Sequence, residues 1–148
     1  MLNPFCPRLG SGLVASLYQV KADDHRLGDI VDGGVYWTTP LGPFESAFEI
    51  AIIKALGAII VGQSSGQEAL AARIFGMCLA VANPVVNYAE GLNDASWSGN
   101  EGMDSMYEAI AMPMALVVYY TLERIVSQTR TCDCRTIAHS PALTGMTS

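Results

Sequence analysis

Residues 54–66 decide the fold, and they read Lys54-Ala55-Leu56-Gly57-Ala58-Ile59-Ile60-Val61-Gly62-Gln63-Ser64-Ser65-Gly66. Their apolar residues continue those of residues 44–53, so the first interpretation is a single helix that runs to Gly62 and turns tightly into a second helix. Gly57, however, is a residue that commonly ends helices, and residues 58–61 would then form a buried strand. The first interpretation predicts a helical bundle, and the second predicts an α/β fold.

Capping residues extend the first interpretation to three apolar helices, at about residues 43–62, 66–90 and 106–128. The first helix would begin at Pro43, directly after Gly42, where the missing N–H group of proline costs nothing. Ser65 and Ser105 are each followed three residues later by a glutamate, which is the pattern of a capping box. We therefore predict a mainly α fold, with an α/β fold that has a strand at 58–61 as the alternative.

The rest of the chain is assigned by composition and pattern to a single domain, 1–148, in which residues 43–128 form the helical core. Residues 1–42 contain two runs that favour strands, Leu13–Val20 and Ile30–Thr39. Residues 129–148 have no sustained period and are predicted to be a tail. The acidic loop 91–105 is predicted to be exposed and available for contacts.

Composition favours a protein whose helices are covered by something other than water. Only 15% of the residues are charged, fewer than in an average soluble protein, and the mean hydropathy is +0.30. The net charge of −6 argues against a nucleic-acid partner. We therefore expect a small non-enzymatic subunit, buried either in a membrane or in a homo-oligomer or larger complex. This interpretation predicts a membrane-associated protein that contacts the lipid bilayer, with a cytoplasmic location as the alternative.

One motif supports a competing prediction of a soluble, oligomeric α/β enzyme. Residues 62–66 fit G-x-S-x-G, in which the glycines let a strand turn sharply into a helix and expose the central serine as a nucleophile. Ser64 would be that nucleophile, and His139 follows in the order found in serine hydrolases. The chain is short for a complete α/β-hydrolase, so the hydrolase remains the alternative.

The cysteines suggest a second kind of chemistry, at Cys132 and Cys134. These two residues form a C-x-C pair that could bind a soft metal or act as a redox pair. The four cysteines of this chain do not have the density of a disulfide framework. Neither a phosphate-binding P-loop nor a dinucleotide-binding fingerprint occurs, and no cofactor is predicted.

Overall fold

The computed structural model describes residues 3–40, 42, 44–92 and 100–135. Within these residues lie four helices and two short strands: α1 (Pro7–Asp23), β1 (Tyr36–Thr38), α2 (Ala47–Ala55), β2 (Ile60–Gly62), α3 (Ser65–Ile74) and α4 (Asn100–Val126). The two strands pair in parallel, with Tyr36 opposite Ile60 and Thr38 opposite Gly62. Because α2 connects them, residues 36–62 form a βαβ unit.

The predicted mainly α bundle is therefore wrong, and the error begins in its first helix, 43–62. A capping box starts α2, since the Ser46 N–H group donates to the Glu49 carboxylate at 2.7 Å and the Ser46 hydroxyl accepts from the Glu49 N–H group at 3.3 Å. Gly57 ends the helix with a φ of 90°. Its N–H group donates to the Lys54 carbonyl at 2.9 Å and the next N–H group donates to the Ile53 carbonyl at 3.3 Å, which is a Schellman motif. The chain is thereby freed to form β2, which spans Ile60–Gly62 rather than 58–61.

The second predicted helix, 66–90, is wrong for the same physical reason. α3 ends at Ile74, and Gly76 leaves it with a φ of 63°. The Gly76 N–H group donates to the Arg73 carbonyl at 3.2 Å and the following N–H group donates to the Ala72 carbonyl at 2.8 Å, a second Schellman motif. The predicted capping box at Ser65 is also wrong, because Ser64 is the N-cap.

The third predicted helix, 106–128, overlaps α4, but α4 begins at Asn100, so Ser105 lies inside the helix and does not cap it. The strand predicted at Leu13–Val20 is wrong, because those residues lie in α1. Of the run Ile30–Thr39, only Tyr36–Thr38 forms a strand. Residues 93–99 of the predicted acidic loop and residues 136–148 of the predicted tail lie outside the described residues.

Helices α1 and α4 pack closely because small residues occupy the facing side of α1. Gly12 brings the methyl group of Thr121 to 4.0 Å from where a Cβ atom would stand. Ser16 and Val20 follow at intervals of four on the same helix and are buried, as is Val117 on α4. Residues four apart lie on one face of a helix, so this row forms the contact.

The βαβ unit with α3 forms a second part of the fold, and much of its apolar surface is uncovered. Ile50 and Ile53 of α2 are buried, whereas Phe48 on the same helix is 74% exposed. Phe75, directly after α3, is also 74% exposed. An apolar surface of this kind commonly marks a contact with other protein.

Candidate functional site

The first candidate site lies where the two parallel strands end. Thr38 and Gly62 are paired as the last residues of β1 and β2, so the segments that follow them emerge at the same edge. Ligands of open α/β sheets bind at this carboxyl edge. Thr39 follows β1, and Gln63 and Ser64 follow β2, so these three residues form what we call the strand edge.

Helix α3 begins at the strand edge and points its N-terminus there. N–H groups in the first turn of a helix lack acceptors within the helix, and they carry the positive end of the helix dipole. Ser64 is exposed, and its side chain makes no capping hydrogen bond with the described residues. The Ser64 hydroxyl therefore lies beside the positive end of α3 and is available to a ligand.

Two glycines bring this helix start against the strands. A Cβ atom on Gly66 would stand 2.9 Å from both the Cβ and the Cγ2 atoms of Thr38, closer than side-chain atoms pack. A Cβ atom on Gly62 would stand 2.8 Å from the Cζ atom of Tyr36. Glycine at position 66 lets α3 start directly against the end of β1, and glycine at position 62 leaves room for the Tyr36 ring.

Thr39 provides a buried hydroxyl group at the same edge. Its backbone N–H group donates to the Gly62 carbonyl at 2.9 Å, which extends the strand pairing by one bond. The side chain is 5% exposed, and its Oγ1 atom has no hydrogen-bond partner among the described residues. A buried hydroxyl without a partner is costly, so Thr39 is suited to accept or donate a bond to a bound molecule. Sequence reasoning missed Thr39, because no motif distinguishes it from Thr38.

A cleft of about 1410 Å³ separates the strands from α1 and α4. Its wall includes Tyr36 and Ile60 of the strands, Ser65 of α3, Leu17 of α1 and Ile110 of α4. Ligand pockets in proteins commonly enclose about 300–1000 Å³, so the cleft is larger than one small molecule requires.

Of the predicted pair Ser64 and His139, the structure describes only Ser64. Ser64 follows a strand and precedes a helix, which is the context that the G-x-S-x-G motif requires. His139 lies outside the described residues. Both assignments stay predictions.

The second candidate site is a cluster of four cysteines, and it includes both cysteines singled out from the sequence. Cys132 and Cys134, which follow α4, meet Cys6 before α1 and Cys78 after α3, and the four Sγ atoms lie within 4.8 Å of one another. Cys6 and Cys134 are buried, while Cys78 and Cys132 are partly exposed. Sequence reasoning missed Cys6 and Cys78, because nothing in their local sequence links them to the C-x-C pair.

Burial and hydrogen bonds shift the pKa values of two cysteines in this cluster in opposite directions. Burial raises the pKa of the Cys78 thiol to about 12, and its bond to Cys132 acts in the same direction. Burial opposes ionisation of Cys132 too, but hydrogen bonds from Cys78 and Arg130 outweigh it and lower the pKa of Cys132 to about 6. The bond to Cys132 in turn raises the pKa of Arg130. The surroundings therefore favour the thiolate form of Cys132 and the thiol form of Cys78.

Comparison with known proteins relates this chain to a superfamily of enzymes. The family model described as the phosphorylase superfamily matches residues 1–122. A probable 6-oxopurine nucleoside phosphorylase of Korarchaeum cryptofilum is 28% identical over 131 residues, covering 88% of this chain and 46% of that protein. A protein of the same name from Moorella thermoacetica is 32% identical over 104 residues, covering 70% of this chain and 38% of that protein.

A third relative carries a different name. The probable S-methyl-5'-thioinosine phosphorylase of Methanopyrus kandleri is 30% identical over 134 residues, covering 89% of this chain and 48% of that protein. The chain thus spans about half the length, or less, of these relatives.

These findings correct the functional prediction. The expected non-enzymatic subunit, a helical bundle buried in a membrane or in an assembly, is wrong, because the match is to a superfamily of enzymes. The serine hydrolase is wrong as well, since the matched enzymes are named as phosphorylases. Among the described residues, one stretch of α4, Asp104–Val126, is long and apolar enough to cross a membrane, which is weak evidence because core helices pass the same test. Cellular location stays a prediction.

Proposed function

Because this chain belongs to the phosphorylase superfamily, we propose that it takes part in the phosphorolysis of 6-oxopurine nucleosides. In that reaction a phosphate oxygen attacks the sugar carbon that carries the base. The carbon–nitrogen bond breaks, the purine leaves with its bonding electrons and takes up the proton that the phosphate gives up, and the products are the free base and a pentose 1-phosphate. The observation that carries the proposal is the match of residues 1–122, together with relatives named for 6-oxopurine nucleosides and for S-methyl-5'-thioinosine. Both names describe a nucleoside whose purine has an oxygen at position 6.

The strand edge supports a phosphate site. Phosphate is an anion, and helix N-termini bind anions through their free N–H groups and their dipole. α3 is ten residues long and starts at this edge, with the Ser64 hydroxyl beside its first turn. We assign Ser64 and the first-turn N–H groups of α3 to phosphate binding. Thr39, with its buried and unpartnered hydroxyl, is assigned to a second polar contact.

The open cleft supports a proposal that further protein completes the site. The chain spans about half the length of its relatives, and the cleft is larger than a nucleoside needs. Apolar side chains such as Phe48 and Phe75 are exposed. We propose that these surfaces are covered by other protein, and a homo-oligomer is the arrangement that we favour.

The reaction is tested on the full chain with inosine and inorganic phosphate. We expect hypoxanthine release that requires phosphate, and we expect no release from adenosine, which differs from inosine in carrying an amino group at position 6. S-methyl-5'-thioinosine is the third substrate, and a higher kcat/KM for it than for inosine would identify the better substrate. Hypoxanthine release that is absent at every phosphate concentration, in a folded chain that also fails to bind hypoxanthine, would contradict the proposal.

The assignment of Ser64 is tested by phosphate titration of Ser64→Ala. A hydrogen bond to a charged group contributes about 1.5–3 kcal/mol, so the variant should bind phosphate roughly 10- to 150-fold more weakly. Ser127→Ala is the matched control, because Ser127 is an exposed serine after α4 whose hydroxyl donates to the Arg124 carbonyl at 3.0 Å. Equal phosphate affinity in both variants would remove Ser64 from the site.

A further inference from the structure

We propose that Cys6, Cys78, Cys132 and Cys134 together bind one zinc ion through four thiolates. Zinc bound to sulfur has Zn–S distances near 2.3 Å in a tetrahedron, which places the sulfur atoms roughly 3.8 Å apart. In this chain the four Sγ atoms lie within 4.8 Å of one another, and the Cys78 and Cys132 sulfurs are 3.4 Å apart. A metal uses all four sulfurs at once, whereas a disulfide would use two and bring them to about 2.05 Å.

Two hydrogen bonds, one between backbone groups and one from a side chain, hold the ligand-bearing segments together without help from a metal. The Cys6 N–H group donates to the Leu79 carbonyl at 2.7 Å, one residue beyond Cys78. The Arg130 guanidinium donates to the Gly76 carbonyl at 3.3 Å, which ties the segment after α4 to the end of α3. The first bond holds Cys6 next to the segment of Cys78, and the second holds the segment of Cys132 and Cys134 next to the end of α3. The fold therefore positions the four cysteines.

The surroundings suit the charge of such a site. Four thiolates around Zn²⁺ carry about two net negative charges, and anions in a protein need nearby positive charge. Arg8, Arg130 and Arg135 line a shallow cavity of about 470 Å³ that also includes Cys78. Of these, Arg130 hydrogen-bonds to Cys132 and so brings positive charge directly to the cluster.

A zinc ion here would be structural. Protein ligands fill all four positions, so no position remains for water or substrate. Cys6 is 1% exposed and Cys134 is 8% exposed, which shields the ion from solvent. The ion would join α1, the segment after α3 and the segment after α4, and so would connect the α1–α4 pair to the rest of the fold. This inference is independent of the phosphorylase proposal.

Metal content is measured first, on full chain purified without oxygen and without metal affinity resin. We expect about one zinc per chain by elemental analysis. Replacement by Co²⁺ should give the visible absorption of tetrahedral cobalt and the near-ultraviolet charge-transfer bands of cobalt–thiolate bonds. Chelation should lower Tm by about 5–10 °C, the shift for a ligand at a hundred times its dissociation constant in a chain of this size.

Variants then identify the ligands. Cys132→Ser should lose the bound zinc, whereas Cys132→His should retain it, with charge-transfer bands reduced to those of three thiolates. Thr129→Ser is the control from the same segment, because Thr129 is exposed and carries no sulfur. Any ligand variant that fails to fold is replaced by alkylation of the wild-type chain, where zinc should protect all four thiols. Absence of bound metal, or a chain mass lower than that of the reduced form by four hydrogen atoms because two disulfides exist, would overturn the proposal.

Discussion

Replacing Gly66 by alanine tests the contact that places helix α3 against strand β1. The added Cβ atom would stand 2.9 Å from the Cβ and Cγ2 atoms of Thr38 and closer still to its Oγ1 atom. A rotation about χ1 moves the Oγ1 and Cγ2 atoms but leaves the Cβ atom of Thr38 in place, so it cannot clear the contact. The helix start or the strand end has to move by about 0.5 Å to restore ordinary contact distances.

The expected change in unfolding free energy of Gly66→Ala follows from two opposing effects. Overpacking of this kind costs about 1–3 kcal/mol, and alanine recovers up to about 1 kcal/mol over glycine inside a helix. We expect Gly66→Ala to lose about 1–2 kcal/mol of unfolding free energy, which corresponds to a fall in Tm of about 2–8 °C for a chain of this length.

The matched control is Gly10→Ala in α1. Gly10 is also helical, and among the described residues nothing beyond its chain neighbours and the local helix backbone lies within 4 Å of where its Cβ atom would stand. This variant should therefore gain about 0.5–1 kcal/mol through helix propensity alone. Urea denaturation measures both changes.

A double-mutant cycle isolates the contact. Thr38→Ala removes the Oγ1 and Cγ2 atoms that the new methyl group meets, so the double variant should be at least about 0.5 kcal/mol more stable than the sum of the single variants predicts. If Gly66→Ala raised stability as much as Gly10→Ala did, the close approach of α3 to β1 would be wrong.

Three further substitutions test the helix ends and the α1–α4 contact. Gly57→Ala should lose about 1–2 kcal/mol, because Gly57 has a φ of 90°, a region that costs other residues this much. Ser46→Ala should lose about 1 kcal/mol at neutral pH by removing the N-cap of α2. Backbone and side-chain bonds to Ser46 lower the pKa of Glu49 below its ordinary value of 4.5, so the part of the stabilisation that comes from the Glu49 carboxylate is present above that value and is lost as pH falls through the lowered pKa. The stability difference between wild type and Ser46→Ala should therefore shrink in acid, and an unchanged difference would argue against the capping box. Val117→Ala should lose about 2–3 kcal/mol because Val117 is 0% exposed, whereas Val118→Ala, at a residue 52% exposed, should change stability by about 0.5 kcal/mol at most.

The sequence contains signals for the ends of α2 and α3, although the predicted helices 43–62 and 66–90 continue past both. Lys54 to Gly57 and Arg73 to Gly76 each present a basic residue, two apolar or small residues and a glycine. Each glycine has positive φ and closes a Schellman motif. The α/β alternative ends a helix at Gly57, whereas the predicted second helix runs past Gly76 because apolar residues continue beyond it.

The assignment of residues 1–42 failed for a different reason. Leu13–Val20 contains β-branched and aromatic residues that suit a strand, yet it folds as part of α1. In α1, Gly12, Ser16 and Val20 lie on one face of the helix, and that face packs against Val117 and Thr121 of α4. A partner more than ninety residues away in sequence therefore determined the local structure, and tertiary packing overrides weak propensity in such cases.

Sequence motifs identified part of each candidate site. The G-x-S-x-G pattern indicated a strand, a turn and a helix around Ser64, and that local structure is present. The serine-hydrolase chemistry inferred from this pattern was wrong. A strand, turn and helix of this kind can bind other ligands at the end of a parallel strand. The C-x-C pattern indicated Cys132 and Cys134, but Cys6 and Cys78 join them only in the folded chain.

What the sequence by itself determined was local backbone chemistry. A glycine that must adopt positive φ, or a serine that caps a helix, acts on atoms within four or five residues, and those residues are visible in the printed chain. Tertiary structure alone decided whether residues 60–62 formed a strand, because an apolar run becomes a strand only when another strand supplies its hydrogen bonds, here Tyr36–Thr38. It alone also brought four sulfur atoms together and left the Thr39 hydroxyl buried beside the start of α3. Those distances depend on how distant segments pack, and so no spacing in the sequence contains them.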